Sequence, residues 1–219
     1  MKIFLDTANV EEIKKWVNTG IIDGITTNPT LLSKEGKDPK KQILEICAIF
    51  PTGDISVEVT EADEKAVYTQ AKEIAALSKN ITVKIPCHKN YYAIIKQLVD
   101  EGISINITLV FTLIQSLMMC KLGVKYISPF IGRWDDIDVN GSELLYEIRD
   151  MIDRYSYDTQ ILSASLRNVR HLHEAINAGA DVATLPAEVL EKSLNHILTN
   201  QGMEKFCADW KKLGIRQFP

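Results

Sequence analysis

A lysine stands inside an apolar run at Val83-Lys84-Ile85-Pro86, where a charged ammonium would lose its hydration. Desolvation favours the neutral amine, the form that attacks a carbonyl carbon to give an imine. Polar side chains end or interrupt the other apolar runs of the chain: Asp6, Thr26, Asn28, Glu58, Asn106, Thr108, Ser163 and Ser165. Imine chemistry needs a carboxylate that moves protons between carbinolamine, imine and substrate hydroxyl, and Asp6 is the candidate. Glu58 and Thr108 suit a relaying water, while Asn28 and Asn106 suit hydroxyl recognition or support of the lysine. A second pole is basic. Arg133 in SPFIGRWDD and Ser165 with Arg167 in SASLRN combine guanidinium forks with a nearby helix start, a pattern that binds a phosphate. Plainer roles compete at each position. Lys84 fits an edge strand or a structural ion pair, Arg133 a surface pair with Asp135 or Asp136, and the rest a bracing role at the strand ends.

Such residues meet only if eight short segments converge. The apolar, β-branched runs are 3–5, 24–27, 55–59, 81–85, 104–110, 126–130, 160–164 and 181–185. None shows a clear in/out alternation of hydrophobicity, as expected of parallel strands covered by helices. Helical stretches separate them. Asn9 precedes Glu11 and Glu12, with Val10, Ile13 and Val17 on one stripe and Gly20 as the stop; Asp38-Pro39 opens another helix. From Ala62 to Leu77, the apolar positions Ala66, Ile74 and Leu77 recur among charges. Gly102, Gly123 and Gly179 each end a helix directly before a strand.

Eight βα units in 219 residues leave about 27 per unit, a compact form of the (β/α)8 TIM barrel. A doubly wound sheet would want a glycine-rich turn after Leu5, and none is there. The expected architecture is therefore an α/β fold, a single barrel domain over 1–219 with an extra C-terminal helix and tail from about 203. Met203, Phe206, Trp210 and Leu213 share one face of that helix, which either closes the barrel or docks on another subunit.

Composition excludes several classes. A net charge of −4 disfavours nucleic acid and anionic membrane as partners. No apolar run approaches the length of a signal sequence or a bilayer span. Cys47, Cys87, Cys120 and Cys207 are widely spaced, fitting reduced thiols in the cytoplasm. His171 and His173 lie two apart on a helix and do not share a face, so a metal site is not expected there; His88 and His196 are read as solvated. Tyr91-Tyr92 and Met118-Met119 read as helix packing.

The segments MKIFLDTAN, GITTNPTLLSKEG, SVEV, VKIP, NITLVF, SPFIGR, ILSASLRN and GADVATLP resemble, in order and nearly end to end, the small transaldolase family, which includes the fructose 6-phosphate aldolases. The resemblance implies a barrel in which Lys84 forms the Schiff base and Asp6 moves protons. Glu58 and Thr108 would hold the catalytic water, and Thr26, Asn28 and Asn106 would join the site. Arg133, Ser165 and Arg167 would bind phosphate. It further implies no metal or organic cofactor and a pentamer or decamer in which the C-terminal helix reaches a neighbour.

Phe130 and Glu58 stand where the fructose 6-phosphate aldolases resemble one another in having tyrosine and glutamine, so this chain is similar to the transaldolase branch. The expected reaction moves a dihydroxyacetone unit from sedoheptulose 7-phosphate or fructose 6-phosphate to erythrose 4-phosphate or glyceraldehyde 3-phosphate, in the pentose phosphate pathway. The alternative is an aldolase that releases free dihydroxyacetone. Trp134 departs from the aliphatic residue expected after GR, and PCHKN after the lysine strand is unusual.

Overall fold

The structure, a computed structural model, describes residues 1–214; the last residues of the expected tail, 215–219, lie outside the described residues. Eight parallel strands close into one barrel in sequence order: β1 (Lys2–Asp6), β2 (Gly24–Thr26), β3 (Asp54–Glu58), β4 (Ile81–Pro86), β5 (Ile105–Val110), β6 (Tyr126–Pro129), β7 (Gln160–Ser163) and β8 (Val182–Leu185), with β8 pairing back onto β1. Each differs from the run read in the sequence by no more than one residue at either end.

The helices begin and stop as their capping residues dictate. Asn9 Oδ1 accepts from the backbone N–H of Glu11 and Glu12 to open α1 (Val10–Val17), a cap worth about 1 kcal/mol. Asn28 caps α2 (Pro29–Lys34) and Asp38 caps α3 (Pro39–Ile49), each followed by proline in the first turn. α4 (Glu64–Ala75) buries Val67, Ala71 and Ile74, so its packed stripe lies one residue beyond the expected Ala66. Then come α5 (Tyr92–Asp100), α6 (Leu113–Leu122), α7 (Ile131–Asp135), α8 (Glu143–Tyr155), α9 (Val169–Asn177), α10 (Ala187–Leu194) and α11 (Ile197–Lys212). Gly123 ends α6 in the left-handed region, and Gly102 and Gly179 take the same conformation before their strands. The last helix starts six residues before the expected Met203, because His196 caps the N–H of Leu198. Among the described residues no helix is long and apolar enough to cross a membrane.

The expectation that the strands lack alternation is corrected. Most strand residues are buried, yet their chemistry alternates. In β3 the residues Ile55 and Val57 join the apolar layer under the helices, as do Val83 and Ile85 in β4 and Ile105 and Ile107 in β5. The residues between them, Ser56, Glu58, Lys84, Asn106 and Thr108, face the barrel interior, where they bond to one another or line its cavity. Hydrophobic burial therefore lies mainly outside the barrel wall, which frees the inside for polar groups. One apolar layer crosses the interior: Phe4, Tyr126, Leu162, Ala164 and Val182, with the Phe4 and Tyr126 rings edge to face at 6.0 Å. At the N-terminal ends of the strands, Asp54 binds Lys125, the hydroxyl of Tyr126 and the hydroxyl of Thr82.

Candidate active site

Above the apolar layer lies a cavity of about 490 Å³ at the C-terminal ends of the strands. All eleven residues singled out for chemistry or binding line it: Asp6, Thr26, Asn28, Glu58, Lys84, Asn106, Thr108, Phe130, Arg133, Ser165 and Arg167. Strand pairing explains the convergence, since Asp6 sits beside Thr26, Glu58 beside Lys84, and Lys84 beside Asn106 across the barrel wall.

Lys84 is 5% exposed. Its Nζ lies 2.9 Å from Glu58 Oε2 and donates to the carbonyl oxygen of Thr27 at 3.1 Å. The ion pair admitted in the sequence is thus present, but it stands in the cavity wall rather than at an edge strand. Asp6 accepts a 2.7 Å hydrogen bond from Thr26 Oγ1, whose oxygen also lies 2.6 Å from Thr184 Oγ1. Burial pushes the Asp6 carboxyl above the usual range, outweighing the Thr26 hydrogen bond and the Lys84 charge, both of which act downward. Asn106 is held at both ends, accepting from Ser128 at 2.7 Å and donating to Ser56 at 3.1 Å. The Asn28 carbonyl accepts from the N–H of Leu31, which fixes the side chain so that its amide N–H groups are available to a ligand.

Thr108 owes its position to a bulge. Ile107 pairs with Ile127 and Val110 with Pro129, leaving two residues of β5 against one of β6. Leu109 takes a positive φ of 58°, and both it and Thr108 reach the cavity. The Thr108 hydroxyl is buried and has no hydrogen-bond partner among the described residues.

The basic pole is built by α7 and the segment between β7 and α9. Arg133 projects from α7 with its guanidinium over the Phe130 ring, 5.4 Å from the centroid. Phe130 in turn meets Phe111 edge-on, and Phe111 meets Trp134. Arg167 forms a two-pronged pair with Asp136. The Arg–Asp pair admitted in the sequence therefore exists, with Arg167 rather than Arg133 as the cation. A Cβ at Gly132 would run into the backbone carbonyl of Ser165, so glycine is what lets α7 press against this segment. Ser163 does not line the cavity; Leu162 and Ala164, either side of it, do.

Ser128 and Thr184 also line the cavity and were not singled out in the sequence. The signal was present, since each stands two residues after an interior-facing residue of its strand, Tyr126 and Val182.

The model of the family described as transaldolase/fructose-6-phosphate aldolase matches residues 3–217. The probable transaldolase of Petrotoga mobilis is 49% identical over 212 residues, covering 97% of this chain and 96% of that protein. That of Lactiplantibacillus plantarum is 46% identical over 217 residues, covering 99% and 100%. That of Methanococcus maripaludis is 44% identical over 211 residues, covering 96% and 98%.

Proposed function

The chain belongs to the transaldolase/fructose-6-phosphate aldolase family, and from that premise we propose that it is a transaldolase working through an imine on Lys84. The observation that carries this reading is the buried Lys84 amine in the cavity wall beside Glu58, with the Asp6 carboxyl on the same cavity. The amine nitrogen attacks the C2 carbonyl carbon of sedoheptulose 7-phosphate or fructose 6-phosphate, and the carbinolamine loses water to an iminium. Asp6 removes the C4 hydroxyl proton. The C3–C4 bond breaks, its electron pair flows into the iminium to form an enamine, and the aldose phosphate departs. The enamine carbon then attacks the aldehyde of erythrose 4-phosphate or glyceraldehyde 3-phosphate, Asp6 returns the proton to the new alkoxide, and water releases the product. Glu58 and the buried Thr108 hydroxyl hold the water that enters and leaves, while Thr26, Asn28 and Asn106 bind the hydroxylated chain. Arg133, Ser165 and Arg167 take the phosphate.

Phe130 supports transfer over simple cleavage. Its ring has no proton to give the enamine, and it sits between Phe111 and the Arg133 guanidinium. We place the reaction in the cytoplasm, in the pentose phosphate pathway, carried out by one barrel domain in a homo-oligomer.

Borohydride reduction in the presence of fructose 6-phosphate tests the chemistry. The wild-type protein should gain a three-carbon adduct on Lys84, and Lys84→Met should gain none and lose turnover. An adduct on a different lysine, or full activity of Lys84→Met, overturns the reading. Fructose 6-phosphate without acceptor should yield little glyceraldehyde 3-phosphate; steady release would identify an aldolase instead.

A further inference from the structure

His171, set aside in the sequence as an improbable metal ligand, is only 4% exposed and stands at the joint of the basic pole. Its Nδ1 accepts from the backbone N–H of Arg167 at 3.2 Å. A nitrogen that accepts carries no proton, so in the neutral ring Nε2 holds it and donates to Asp135 Oδ2 at 2.6 Å. Asp135 is the last residue of α7, the helix that presents Arg133. A helix of five residues has too few internal hydrogen bonds to hold its own orientation and depends on its ends. At the start, Phe130 N–H donates to Val110 and Ile131 N–H to Ala164. At the finish there are two contacts to the Arg167 segment: Asp135 with His171, and Asp136, the residue that follows the helix, with Arg167 itself.

We propose that His171 and Asp135 are positioning residues, a clasp that fixes α7 against the Arg167 segment so that Arg133 and Arg167 meet one phosphate group together. Neither side chain lines the cavity, so both act through the arginines. The clasp rests on the reading that this pole binds phosphate. A dianion gains from two guanidinium forks only when both are aimed at it; a fork that must be ordered on binding loses part of that gain to entropy. His171 restrains the backbone at one arginine and, through Asp135, the helix that carries the other.

The Asp135 side chain is 45% exposed, so Asp135→Ala breaks the clasp without opening a hole in the core. The expected result is a KM for fructose 6-phosphate and for glyceraldehyde 3-phosphate raised about five- to tenfold, with kcat within about twofold of wild type. The KM for unphosphorylated glyceraldehyde as acceptor should not move. Asp135→Asn keeps an oxygen to accept from Nε2–H and should restore the wild-type KM. Arg167→Ala is measured alongside. If it raises the KM for phosphorylated substrates while Asp135→Ala leaves it unmoved, the clasp is overturned and the phosphate pole stands. If Arg133→Ala and Arg167→Ala both leave that KM unmoved, the phosphate pole fails and the clasp with it. A fall in kcat shared by phosphorylated and unphosphorylated acceptors, with KM constant, marks a merely structural contact and also overturns the clasp.

Discussion

Asp6 is held at a cost to the fold. Burial raises its carboxyl above 3.8, so between that value and its own higher one the folded chain keeps a proton that the unfolded chain has released. Stability therefore falls as pH rises through this window, and the loss is complete above it. Asp6→Asn, neutral at every pH, should melt at a higher temperature than wild type near pH 7, and calorimetry should show the difference shrinking as pH falls toward 3.8. The same variant should lose about a hundredfold or more in kcat. A lower melting temperature at pH 7 would mean that the Lys84 attraction outweighs desolvation. At this scale, legibility followed rarity. Lys84, Asp6 and Glu58 announce themselves because ionisable groups are unusual in apolar strands. Thr184 and Ser128 are ordinary strand residues, and His171 shows its role only once the chain brings Arg167 and Asp135 to either side of its ring.

Among the elements, α7 carries the sharpest constraint. Gly132→Ala sets a methyl group against a backbone carbonyl, which no rotamer change relieves. It should destabilise the protein by about 1–3 kcal/mol and raise the KM for phosphorylated substrates. Denaturant titration with steady-state kinetics checks both, and a variant with wild-type stability and KM would show that the helix is free to shift outward. The eight strands, the starts of α1 and α3 and the glycine stops at 102, 123 and 179 were legible because caps, prolines and terminal glycines are local signals. The alternation of DISVE and INITLV was there as well, but inverted, with apolar residues toward the helices and polar ones toward the axis. Reading hydrophobicity alone hid it. The bulge at Thr108–Leu109 had no local signal, since a leucine with positive φ is imposed by the surrounding barrel rather than preferred by the residue.

For the molecule as a whole, α11 is the most exposed helix among the described residues. None of its residues is buried; Ile197, Leu198, Met203 and Phe206 are exposed, Phe206 at 72%. A 16-residue helix with Ile197, Leu198, Met203 and Phe206 exposed among the described residues is marginal on its own, which is the physical basis for the proposed homo-oligomer. Light scattering should report an assembly for the wild type, and Phe206→Glu should shift it toward smaller species while the barrel stays folded by circular dichroism. A wild-type protein that runs as a monomer across concentrations would remove the oligomer from the reading. The helix itself was legible from its spacing, whereas its partner is not encoded in any single stretch of the chain.

The layer of Phe4, Tyr126, Leu162, Ala164 and Val182 beneath the cavity has a kinetic corollary. It makes the barrel a cul-de-sac: whatever enters from the mouth must back out the same way. The first aldose phosphate has to vacate its berth before the second docks, so initial-rate plots at several fixed acceptor concentrations should be parallel lines, and intersecting ones would mean that both sugars fit at once.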